Sequence, residues 1–158
     1  MKQLYVSLVR CHLEYAVSVW NPYLKGDVER IERVQHRVTW LLPELKVLPY
    51  GERLEKLGLT KHELRRERGD LIQYHKIRLG KDIVDWFHEP EVIGPGGVGY
   101  SLRSDPRVRG QVVRGCEQRN RFFTNRVVNA YNELPAGAKD AQTVNQFKAA
   151  LARVDRFR

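Results

Sequence analysis

Apolar residues run almost all the way round the first helical stretch that the pattern predicts. Residues 2–20 carry Leu4, Tyr5, Leu8, Val9, Leu13, Tyr15, Ala16, Val19 and Trp20, a spacing that predicts one helix buried on most of its faces. Asn21-Pro22 stops it, since a residue ahead of proline avoids the helical region. Gly26-Asp27 offers an N-cap for a second helix, with Val28, Ile31, Val34, Val38, Leu41 and Leu42 on one face and Glu29 and Arg33 at i,i+4 on the other. Pro43 ends that helix. A short third one is predicted from Tyr50 to Leu57, closed by Gly58.

Thr60-Lys61-His62-Glu63 has the form of a capping box, so a fourth helix is predicted to start there. Its inner stripe reads Leu64, Arg68, Leu71, Ile72, His75 and Leu79, flanked by Lys61, Arg65 and Lys76, with Arg66 further out. Arg68 and His75 fall inside the apolar arc, which makes them structural: an arginine paired with an acid and a core histidine. Gly69 in mid-helix costs about 1 kcal/mol against alanine and suggests close packing there.

Residues 88–120 break the helical period. "GPGGVG" (94–99) leaves little to wind, and "YSLRSDPRVRGQVVRG" (100–115) has the composition of two short strands. Helical patterning resumes at Arg121–Asn132, where Phe122 or Phe123, Val127, Val128 and Tyr131 turn inward. Thr143 caps a last helix with Val144, Phe147, Leu151 and Val154 inside. The expected fold is mainly α: one domain, a small helical bundle with N-terminal helices over 1–87, an irregular or short β-hairpin insertion around residues 88–120, and C-terminal helices over 121–158.

Composition adds charge to this picture. At 158 residues, 42% hydrophobic and 30% charged, the chain can bury roughly 68–70% of its unfolded surface, which places it among globular proteins. The net charge of +9 is concentrated. Residues 61–81 hold seven Lys or Arg against three acids, and residues 107–126 hold six Arg against one. The rest of the chain cancels. Two such segments suggest a surface that faces a polyanion. No apolar run reaches the length of a membrane span, and the start lacks the parts of a secretory signal. With Cys11 and Cys116 far apart, free thiols and an intracellular site are expected, nucleus or cytoplasm being left open.

Motifs for catalysis are weak or absent. "GPGGVG" satisfies G-x-G-x-x-G, but Tyr100 to Pro106 is a poor helix start, so the dinucleotide reading lacks its anion-binding helix end. Cys11-His12 is the one adjacent Cys/His pair, and no ligand spacing for zinc follows. Neither a nucleophile elbow nor a local Cys/His constellation occurs, and Asp82 with Asp85 suits a helix cap as well as a metal. No cofactor or metal is expected.

Several runs taken together resemble one family. "LYVSLVRCHLEYAVSVWNPY" (4–23), "IERVQHRVTWLLP" (31–43), "ERLEKLGL" (52–59) with "LRRERGDLIQYHKI" (64–77), and "FFTNRVVNAYNELP" (122–135) with "TVNQFKAAL" (143–151) are similar, in order, to the C-terminal thumb and post-thumb region of the reverse transcriptase of non-long-terminal-repeat, LINE-type retrotransposons. Cys11 stands where that family has proline, and Tyr131 where it has tryptophan. The family's RNA-directed DNA polymerases catalyse from paired aspartates, and no Asp-Asp occurs here. The resemblance starts mid-pattern at Met1, as in the reading frame of a 5′-truncated copy or, equally, in an excised domain.

The resemblance implies a non-catalytic segment that grips the backbone of a template–primer, whether RNA, DNA or a hybrid duplex. The charge pattern assigns phosphates to two patches: Arg107, Arg109, Arg114, Arg119, Arg121 and Arg126 in one, and Lys61, Arg65, Arg66 and Lys76 in the other. Residues 2–20 would pack on a polymerase palm or on a second copy. The competing expectation is a helical interaction or dimerisation module, or a remnant without selected activity, in which the positive charge is incidental.

Overall fold

The computed structural model describes residues 2–86, 89–93 and 107–157. It is mainly α, with one short antiparallel hairpin. Two compact units divide the chain: the residues up to Gly69 together with Arg156 and Phe157, and Asp70–Asp155.

In the first unit, α1 (Lys2–Leu4), a π-helical stretch (Tyr5–Arg10) and α2 (Cys11–Leu13) run on without a break in helical backbone. The helix expected to reach Trp20 stops at Leu13. Residues 14–19 turn instead, with Ala16 at a left-handed φ of 49° and its carbonyl accepting from the amides of Val19 and Trp20. The cause lies in another segment. Arg66 donates to the carbonyls of Leu13 and Trp20 and to Asn21 Oδ1, and its guanidinium lies 3.9 Å from the Trp20 ring centroid. It supplies the donors that the carbonyls at a helix end need.

The second helix, α3 (Lys25–Trp40), turns Gln35 and Thr39 inward, where the sequence pattern offered only apolar residues. It is followed by a 3₁₀ turn (Pro43–Leu45) and by α4 (Tyr50–Leu57). Gly58 closes α4 in the left-handed region at φ 56°, as the sequence predicted. Gly58 N donates to Glu55 O and Leu59 N to Leu54 O, so the last carbonyls are satisfied and Leu59 folds back on Leu54. Leu54, Leu59 and Tyr5 form the apolar core of this unit, with Val6, Val9, Val38, Tyr50 and Leu57 against it.

A polar knot sits beside that core and explains Gln35. The Tyr5 hydroxyl donates to Gln35 Oε1 (2.9 Å) and lies 2.7 Å from His62 Nε2. Gln35 Nε2 donates to the Tyr50 hydroxyl and to the Thr60 carbonyl, both at 3.1 Å. Glu32 accepts from the Tyr50 hydroxyl and, at 2.9 Å, from the backbone amide of His62. Glu32 thereby serves the N-terminus of α5 (His62–Arg78) from a distant part of the chain. Burial pushes the Tyr5 and Tyr50 hydroxyls above their ordinary pKa and holds His62 below its own.

Helix α5 gives its residues up to Gly69 to the first unit and those from Asp70 to the second. Gly69 faces Val17, and a Cβ built on it would lie 3.8 Å from the Val17 Cβ. The approach expected there is ordinary van der Waals contact with room for a methyl group.

The second unit adds β1 (Glu91–Ile93), β2 (Arg107–Arg109), α6 (Glu117–Asn120), α7 (Phe123–Asn132), α8 (Ala136–Lys139) and α9 (Val144–Leu151). The strands are antiparallel, with Glu91 opposite Arg109, Val92 opposite Val108 and Ile93 opposite Arg107. A hairpin was expected around residues 88–120, and the β1–β2 pair lies there; among the described residues of the run 100–115 only Arg107–Arg109 is strand, and its partner lies upstream. Residues 100–106 and the "GPGGVG" run lie outside the described residues.

Val127, Tyr131, Phe147 and Leu151 fill this core together with Leu71. Tyr131 meets Tyr74 edge-on with centroids 5.0 Å apart, and His75 stacks on Phe147 at 4.0 Å with the rings 7° from parallel. Thr143 and Gln146 form the reciprocal capping box that starts α9. Among the described residues no helix is long and apolar enough to cross a membrane.

Candidate nucleic-acid interface

Helix α7 organises the basic surface of the second unit. Phe123, Val127, Val128 and Tyr131 make its buried face, and Asn125 and Asn132, two turns apart, run along the edge of that face. Asn132 grips β2: its Oδ1 accepts from Val108 N (2.9 Å) and its Nδ2 donates to Val108 O (2.7 Å). Asn125 grips the next turn of chain, its Oδ1 accepting from Gln111 N (2.9 Å) and its Nδ2 donating to Arg119 O (3.2 Å). Gly110 lies between these anchors, and a Cβ there would come within 2.8 Å of Asn125 Oδ1. A larger residue at this position would push the Asn125 amide off its place.

These amide clamps fix where the arginines emerge. Val108 turns inward and is buried, so Arg107 and Arg109 on either side of it point to solvent, as alternation along a strand requires. Arg114 is exposed in the extended run that follows. Arg119 is exposed and donates from Nε to Gln111 Oε1 (3.2 Å). Arg121 is exposed and meets Glu117 at 2.8 Å, an i,i+4 pair in water and therefore weak. Among the described residues, Glu117 is the one carboxylate within ion-pair distance of these five arginines. Glu91, opposite Arg109 across the hairpin, is the nearest acid in register.

Arg126, assigned to the same patch from sequence, faces the other way. Its Nε and Nη2 hold the two oxygens of Asp70 at 2.7 and 2.9 Å, and Asp70 is buried. This bidentate pair joins α7 to α5. The two adjacent phenylalanines also part company. Phe123 is 7% exposed and stacks with Trp86, whereas Phe122 is 61% exposed.

The second predicted patch disperses. Arg66 is 3% exposed and belongs to the interior. Its sequence placement on the outer face fails because Leu13, Trp20 and Asn21, to which it donates, cover it there. Arg65 is half-buried and holds Glu14 through two nitrogens, Nη2 to Oε2 at 2.8 Å. Lys76, in the other unit, has Asp82 at 3.8 Å. Lys61 remains exposed. Of the ten residues assigned to phosphates, Arg107, Arg109, Arg114, Arg119 and Arg121 emerge from one clamped segment, and Lys61 stands on the first unit.

Sequence reasoning missed the clamps, Asn125 and Asn132. Their signal was present: Asn125 and Asn132, seven apart, are two of three asparagines on one ten-residue helix, against the usual cost of asparagine there. Among the described residues no group of three or more His, Cys, Asp or Glu could hold a metal, and both cysteines are exposed and free. The chain matches no protein-family model, no curated protein and no solved structure.

Proposed function

We propose that this chain binds nucleic-acid backbones without catalysing a reaction, in the manner of the retrotransposon thumb region that its sequence resembles. The observation that carries the reading is the row of five exposed arginines on residues 107–121, anchored by side-chain amides and accompanied by a single ion-paired acid. Guanidinium groups held apart on a fixed scaffold suit successive phosphates, which fix position and carry no base information. Arg65, Arg66 and Arg126 leave the phosphate-binding set and enter the structural one.

The test is a binding titration across salt. Four or five phosphate contacts predict a log–log slope of about −4 on a duplex, at roughly −0.9 for each contact. Replacing Arg119 and Arg121 by alanine flattens that slope by about two. A double variant that binds like the parent at every salt concentration reduces the patch to a solvated face. Primer extension by the pure chain would overturn the non-catalytic part.

One observation favours a second reading, an interaction module. Leu8, Tyr15, Val19 and Trp20 are all exposed in the residues 2–20 expected to pack on a palm or a second copy. Apolar surface of this kind marks interaction sites. Sedimentation of a monodisperse monomer, unchanged by Leu8→Glu, would remove it.

A further inference from the structure

We propose that Phe122 is a stacking platform for one unpaired base, so that the arginine patch takes single-stranded nucleic acid; this rests on the backbone-binding reading above. Phe122 and Phe123 are neighbours with opposite fates. Phe123 lies in the core parallel to Trp86, whose centroid is 6.3 Å away, while the Phe122 ring stays in water. Leaving a phenyl ring exposed forfeits its burial, and hydrogen bonds on both sides fix the backbone that carries it. Phe122 is the N-cap of α7, with φ −64° and ψ 154°. Its carbonyl accepts from the amides of Asn125 and Arg126, both at 3.0 Å, and its own amide donates to Arg119 O at 3.2 Å. These bonds fix the Cα of Phe122 at the start of the helix.

The exposed ring is therefore held at the surface by the same backbone that carries the cations. Arg121 precedes it directly, and Arg119 shares its turn and is tied through Asn125 and Gln111 to the strand segment. A fixed aromatic face beside guanidinium groups is the chemistry that binds a base and its flanking phosphates in a single strand. A paired base inside a duplex offers no free face, so duplex binding uses the arginines alone.

The experiment compares an oligothymidine strand with a blunt duplex, by fluorescence anisotropy at one salt concentration, on the full chain and its Phe122 variants. Phe122→Ala is expected to weaken single-strand binding by about 5- to 150-fold, the range for loss of one stacked base, and to leave duplex binding unchanged. Phe122→Leu, which keeps apolar bulk but loses the π face, should behave like the alanine variant, and Phe122→Trp should restore binding. Thermal melts matching the parent's confirm that the variants fold. Equal losses on strand and duplex, or no loss on the strand, overturn the inference while backbone binding stands. A parent chain that binds neither probe at low salt overturns both proposals together.

Discussion

The arginines that open α5 and those of residues 107–121 look alike in sequence and are used in opposite ways. Around α5 the chain spends its cations on itself. Arg66 closes the end of the first helical segment, Arg65 holds Glu14, and Asp70 on the same helix draws Arg126 out of the other cluster. Along residues 107–121 the cations are turned outward by a strand and a turn that two asparagines hold in place. Local charge density does not distinguish the two. What does is whether a buried acceptor lies within reach, and that is decided by residues 45 to 56 positions away.

The sharpest way to break this comparison is Arg126→Ala. It leaves Asp70 charged and buried, and unfolding by urea should show a loss of about 3–5 kcal/mol. Arg66→Ala strands three oxygen acceptors and should cost at least about 2 kcal/mol by the same measurement. Arg66→Lys recovers little, since one ammonium cannot reach three separated oxygens while stacking on Trp20.

Histidine extends the contrast between inside and outside. Burial against Phe147 holds His75 below its ordinary pKa of 6.5, with the positive Arg78 acting in the same direction. The folded state therefore keeps His75 neutral while the unfolded chain takes up a proton below 6.5. Stability is full above that pH and drains as pH falls through and below it. Denaturation midpoints across this range should show the slope, and His75→Phe should reduce it.

Two smaller effects sharpen the comparison from the other side. Gly69→Ala, set among the inward-facing charges of α5 but touching none, should raise stability by about 0.5–1 kcal/mol in thermal melts, because Val17 leaves room for the methyl. Arg119→Ala with Arg121→Ala should change stability by less than about 0.5 kcal/mol, since both side chains are exposed. A larger loss would mean that the outward arginines hold structure after all.

Features governed by neighbours in sequence were legible without coordinates. Gly58 ends α4, Thr143 caps α9, and the apolar period of α7 and α9 marks Val127, Tyr131, Phe147 and Leu151 as core. Features governed by distant partners were not. The stop at Leu13 depends on Arg66, the burial of Gln35 on Tyr5 and Tyr50, and the inward turn of Arg126 on Asp70. In each case a polar group found its partner across the fold, and hydrophobic periodicity carries no record of such a bond. The candidate site was half legible for the same reason: the arginines were visible as charge, but their direction was set by amide clamps.

Asn132 has one more consequence. A two-stranded hairpin presents backbone donors and acceptors along its free side, and a neighbouring chain can add a strand there. On β2 the N–H and C=O of Val108 are already occupied by the Asn132 amide, a side chain that imitates the peptide group of a third strand. The helix thus ends the sheet without adding to it. While the amide is in place, a second molecule finds no template at Val108, and the sheet cannot grow across this edge.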